Sequence, residues 1–114
     1  MELKDYQKLA MVTKKPWDTR DAELVYGALG LAGESGEVAD IIKKHYSGTK
    51  PLNADIREKL KLELGDVMWY IAALCDSLDF DMGTVAAMNI EKLRKRHGDK
   101  FSGYGNRSAE GHTT

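Results

Sequence analysis

The chain has 114 residues, 42 % of them apolar and 31 % charged, with a formal net charge of −1. This length suits one small domain rather than two, and the near-neutral charge offers no general attraction to a nucleic acid polymer or a membrane surface. The single cysteine, Cys75, excludes an internal disulfide and suits a reducing, cytoplasmic setting.

The N-terminal stretch MELKDYQKLAM lacks the apolar segment of a signal peptide. No run approaches the roughly 18 apolar residues of a membrane helix. Hydrophobic spacing predicts a first helix over about residues 4–13, with Leu3, Tyr6, Leu9, Ala10 and Val12 facing inward. The segment KKPWDTR (14–20) is a connector, and Asp18 or Thr19 caps a second helix over about residues 21–46. In the loop SGTKPLNAD, Gly48 is a stop signal and Asn53 or Asp55 the next cap. The third helix covers about residues 56–78, with an inward stripe of Leu60, Leu64, Val67, Met68, Ile71, Leu74, Cys75 and Leu78, spaced three and four apart. Asp81 caps a fourth helix over about residues 82–97. The only prolines, Pro16 and Pro51, fall between these patterns. No segment alternates as a strand does. The expected fold is all-α, a four-helix-type bundle with short loops spanning residues 1–101, followed by a flexible Gly-, Ser- and Thr-rich tail over residues 102–114.

The stretch GESGEVAD (33–40) interrupts the apolar pattern of the second helix. A helix turns about 100° per residue, so Gly30, Leu31, Val38 and Ile41 all fall within about 60° of Glu34. Glu34 therefore lies near the middle of the buried stripe, with Glu37 about 60° to one side. An ionised carboxylate in a bundle core costs several kcal/mol unless it is compensated. Protonation, a basic partner or a metal ion would each do so.

The third helix repeats the arrangement in KLELGDVMWY, where Glu63 and Asp66 stand three apart on a flank of the Leu64, Val67 and Ile71 stripe. Tyr70 falls on the same flank. Packing the second helix on the third would gather four carboxylates, which repel strongly without a cation. Oxygen ligands in this number suit Mg²⁺ or Mn²⁺. His45, His97 and His112 lie outside ligand spacing with them, which argues against zinc and against the Glu-x-x-His pattern of di-iron bundles.

Gly27, Gly30, Gly33 and Gly36 recur every third residue in the same region. Each weakens a helix by about 1 kcal/mol relative to alanine. Close backbone approach or room for a ligand would offset that cost; the alternative is that part of the stretch is not helical. Trp17 and Trp69 read as packing residues and Cys75 as core. The basic run at Lys92, Arg94, Lys95, Arg96 and Lys100 fits either a helix C-terminus favoured by the macrodipole or a surface that reaches phosphates.

Taken together, GLAGESGEVAD and ELGDVMWYIAAL resemble the MazG-like all-α nucleotide pyrophosphohydrolases, including the dCTP pyrophosphatase branch. The shared pattern is ExxE on one helix and ExxD on the next, here Glu34 with Glu37 and Glu63 with Asp66. The resemblance covers about residues 3–101. It implies that these four acids hold Mg²⁺, with Mn²⁺ as a substitute, and that the cation binds a nucleoside triphosphate. Water then releases a nucleoside monophosphate and pyrophosphate, with Glu37 or Glu63 orienting or deprotonating it. The resemblance also implies phosphate or sugar contacts from Tyr70, Asn89, Lys92 and Arg96, and a base pocket near Trp17. It further implies a homodimer or homotetramer with sites near subunit interfaces, acting in nucleotide-pool cleaning.

Two other readings compete. The phosphoribosyl-ATP pyrophosphohydrolases share acidic helix motifs but have a more acidic first motif without the AGESGE spacing. A non-catalytic helical module whose acids bind a structural ion or a basic partner is the other.

Overall fold

The computed structural model describes residues 1–49 and 51–101. The expected flexible tail lies outside the described residues. Four α-helices form: α1 (Leu3–Met11), α2 (Arg20–Tyr46), α3 (Ala54–Ser77) and α4 (Met82–Arg96), followed by a 3₁₀ turn, Gly98–Phe101. No strand occurs among the described residues. None of the described helices is long and apolar enough to cross a membrane.

Local chemistry sets the helix ends. Thr19 caps α2 by accepting a hydrogen bond from the Ala22 amide at 3.0 Å, and Asn53 caps α3 by accepting from the Ile56 amide at 2.9 Å. Each satisfies one of the amides that a helix start leaves unpaired. Gly48, at φ +81°, takes the left-handed conformation just beyond α2 that a side chain would resist. The whole GESGEVAD stretch is helical, so the alternative of a break there is excluded.

The chain forms two compact units, Met1–Met82 and Gly83 onward. In the first, α3 packs against both α2 and α1. Helices α2 and α3 run antiparallel in a steady register. Ser77 meets Glu23, Leu74 meets Gly27, Tyr70 meets Gly30, and Glu63 meets Glu34. The best-buried cluster is Ala72, Cys75 and Met82, with Leu3, Tyr6, Met11 and Ile71 packed against it. Gln7 ties α1 to the start of α4: its Nε2 donates to the Phe80 carbonyl at 3.0 Å, and its Oε1 accepts from the Met82 amide at 2.8 Å. In the second unit the Arg94 guanidinium sits over the Phe101 ring, 5.2 Å from its centre.

Five apolar expectations need correction. Leu9 and Val12 are exposed. The inward stripe of α1 is Leu3, Tyr6, Gln7, Ala10 and Met11, and Leu9 and Val12 lie about 240° and 180° around the helix from Leu3. Leu78, the C-cap residue just past α3, is exposed as well, and so are Leu64 and Met68. Leu64 and Met68 share a face of α3 with Val67 and Ile71, but α1 and α2 cover only the other side of that face.

Candidate functional site

The antiparallel register of α2 and α3 brings the two acidic motifs level with each other. Glu34, Glu63 and Asp66 each offer a carboxylate oxygen, and these oxygens all lie within 4.8 Å of one another. Glu34 and Glu63 are half-buried and Asp66 is exposed. Glu37, one turn further along α2, is exposed and stands outside this group of three.

The three acids strain one another. The Glu34 carboxyl is held above the ordinary carboxylate range, first by loss of water around it. The hydrogen bond to Glu63 and the negative charges of Asp66, Glu63 and Glu37 push the same way. With no cation between them, the cluster favours keeping a proton on Glu34. All its donors are carboxylate oxygens, the set that suits a hard divalent ion such as Mg²⁺. Such an ion would relieve the repulsion directly, so the residues present fit the group.

Tyr70 and Trp69 flank the acids, and together with Glu34 and Asp66 they line a shallow recess. The two rings meet edge to face, with centres 5.0 Å apart and planes at 82°. Trp69 is anchored from α1: its indole N–H donates to Thr13 Oγ1 at 2.9 Å and to the Ala10 carbonyl at 3.2 Å. Tyr70 lies on the Gly30 backbone, where any Cβ would collide with its ring. A Cβ at Gly27 would come within 2.7 Å of Leu74 Cδ2. Gly33 and Gly36 face open space. The glycine series therefore divides. Gly27 and Gly30 permit close helix approach, while Gly33 and Gly36, next to the acids, leave room.

Trp69 and Tyr70 also line a second cavity, of about 290 Å³. Trp17 and Tyr26 stack on its wall, with ring centres 4.0 Å apart and planes at 8°. Trp17, read from the sequence as a packing residue, thus stands half open on a cavity rather than in the core. Glu23 and Lys14 complete the wall. The Lys14 ammonium donates to Glu23 Oε1 at 2.9 Å, Asp76 Oδ2 at 2.8 Å and Ser77 Oγ at 2.7 Å. Burial alone would push this ammonium down; the bonds and charges of Asp76 and Glu23 outweigh it and hold it up. Glu23 is held below the ordinary range by the Ser77 hydroxyl first and then by Lys14. It is therefore an ionised wall residue.

Of the residues singled out in the sequence, the structure brings Glu34, Glu63, Asp66 and Tyr70 together, and places Trp17 on the adjoining cavity. Asn89, Lys92 and Arg96 lie on α4, spaced three and four apart and so on one face of it. Sequence reasoning missed Glu23, Lys14 and Tyr26. No spacing rule links Lys14 to Ser77, because their meeting depends on how the connector folds back over the helix pair. It also missed Tyr6, whose phenol is pushed up by burial first and then by the charge of Asp66.

Residues 27–101 match the model of the MazG nucleotide pyrophosphohydrolase domain. The chain is 42 % identical over 74 residues to the Gene 37 protein of Mycobacterium phage L5. That match covers 64 % of this chain and 65 % of the phage protein, so the chain spans just under two thirds of that relative's length. No solved structure matches.

Proposed function

The chain belongs to the MazG nucleotide pyrophosphohydrolase family, and from that premise we propose that it is a Mg²⁺-dependent nucleoside triphosphate pyrophosphohydrolase, converting a (d)NTP to the (d)NMP and pyrophosphate in nucleotide-pool cleaning. The observation that carries this reading is the meeting of Glu34, Glu63 and Asp66 beside an aromatic-walled cavity. Carboxylates on two rigid helices hold a cation in a fixed place, which phosphoryl transfer needs more than covalent chemistry.

Glu34, Glu63 and Asp66 would hold the ion, together with Glu37, the fourth acid of the paired motif. Mg²⁺, or Mn²⁺ in its place, supplies neutralisation of the phosphate charge. Glu37 orients the attacking water and accepts its proton, with Glu63 as the alternative base. The water oxygen bonds to the α-phosphorus as the α–β bridging P–O bond breaks, and the electron pair leaves with pyrophosphate. Asn89, Lys92 and Arg96 contact phosphates, Tyr70 contacts sugar or phosphate, and Trp17 stacks on the base. A second copy of the chain covers the exposed apolar residues Val25, Leu29, Leu64 and Met68, giving a homodimer or homotetramer.

The test is pyrophosphate release from a panel of dNTPs with Mg²⁺, comparing the wild type with Glu63→Gln. Release by the wild type and its loss in the variant support the reading; equal turnover by both removes it.

A further inference from the structure

The cavity walled by Trp17 and Tyr26 carries more information than the presence of stacking rings. Its walls are aromatic on one side, where Trp17 stacks on Tyr26, and are shared with the acidic recess on the other, through Trp69 and Tyr70. Its polar lining is Thr13, Lys14, Lys15 and Glu23, of which Glu23 is the carboxylate. Glu23 precedes Glu34 by three turns on the same helix, about 16 Å along the axis. An extended nucleoside triphosphate with phosphates at Glu34 covers that distance with its base.

The polarity of the Glu23 wall is fixed by its partners. All three protons of the Lys14 ammonium are directed to Glu23, Asp76 and Ser77, so none is left to donate into the cavity. The Ser77 hydroxyl gives its proton to Glu23 Oε1 at 2.7 Å. Both bonds land on Oε1, and the Trp17 backbone amide also donates to this carboxylate. One ammonium faces two carboxylates, so the cluster keeps a net negative charge. Glu23 is held ionised by Ser77 and Lys14. An ionised carboxylate only accepts hydrogen bonds.

We propose that Glu23 is a specificity residue that reads the edge of the nucleobase and selects bases carrying an exocyclic amino group over those presenting a carbonyl there. Lys14 and Ser77 are positioning residues that fix the carboxylate and spend their own protons within the cluster. A cytosine or adenine amino group donates to Glu23. The matching carbonyl of uracil or hypoxanthine would meet a negative oxygen with no proton between them, a repulsion as selective as the attraction. This assignment rests on the triphosphate reading above and deepens it.

Two isosteric pairs test it, dCTP against dUTP and dATP against dITP. The wild type turns over the amino member of each pair with kcat/KM about tenfold or more higher, as a charge-assisted hydrogen bond gained or lost implies. In Glu23→Gln the dCTP-to-dUTP ratio falls, because the amide N–H₂ can donate to a carbonyl. Equal kcat/KM within both pairs in the wild type overturns the assignment, whether or not the variant folds. Binding of dCMP and dUMP in EDTA, followed by fluorescence of Trp17 and Trp69, reads the cavity without catalysis. Preferential quenching by dCMP supports the assignment even if no triphosphate is hydrolysed, a result that rejects only the hydrolase reading. Equal quenching, or none, rejects the assignment.

Discussion

The ring of Tyr70 lies directly on the backbone of Gly30, with no room between them for a methyl group. This contact joins the two helices one turn from Glu34 and fixes the aromatic wall shared by the recess and the cavity.

Gly30→Ala should therefore destabilise the protein even though alanine favours a helix. The propensity gain is about 1 kcal/mol, and the overpacking cost about 1–3 kcal/mol, for a net loss of up to about 2 kcal/mol. Gly33→Ala, facing open space, should gain about 0.5–1 kcal/mol. Thermal melts followed by circular dichroism compare the two. Opposite signs are expected, and equal shifts would show that the Tyr70 contact does not decide the outcome.

The raised carboxyl of Glu34 makes metal-free stability depend on pH. Its folded value lies above its unfolded one, so the folded state binds more protons in the interval between them. Stability from this group is present below the ordinary glutamate value and falls as pH rises through the raised value. In EDTA, Glu34→Gln should be more stable than wild type at neutral pH and lose that advantage in acid. Added Mg²⁺ should raise the wild-type melting temperature and leave the variant's nearly unchanged. A melting series across pH, with and without the ion, checks both signs.

Lys14 joins the connector to both long helices through Glu23, Asp76 and Ser77. Lys14→Met removes three charge-assisted bonds from a mostly buried ammonium and should cost about 2 kcal/mol or more. Glu23 behaves oppositely to Glu34. Its folded value is depressed, so its stabilisation is present above the ordinary glutamate value and lost as pH falls through the folded one. The gap between wild type and Lys14→Met should narrow in acid, as urea titrations at several pH values would record.

Leu29, with 65 % of its surface exposed, lies four residues from the exposed Val25 on α2. Light scattering at micromolar concentration should report a dimer or larger assembly. Leu29→Glu should shift it toward monomer. A monomeric wild type would leave these apolar residues without the proposed covering.

The sequence disclosed the helices, narrowed each of two caps to a pair of candidates that included Thr19 and Asn53, and placed an acid pair on each of the two long helices, because each follows from short-range spacing along a helix; that three of those four acids meet is set by the helix packing. It disclosed less about burial. Leu64 and Met68 fit the apolar period of α3, but periodicity reports which residues share a face and not what covers that face. The Leu9 and Val12 errors have another origin. On a helix of nine residues, several apolar positions are compatible with a face, and the choice is made by the partner helix. Glu23 and Lys14 were not legible because their bonds bridge more than fifty positions or cross a connector without regular structure.

The aromatic pair Trp69 and Tyr70 acts as a party wall shared by two chambers. Any change that redecorates one chamber also moves the partition of the other. On the function proposed above, selectivity and turnover are thus not independently adjustable in this scaffold. A lineage that drifts toward a new substrate through these two positions must retune its rate in the same step, whereas drift through the far wall leaves the partition standing.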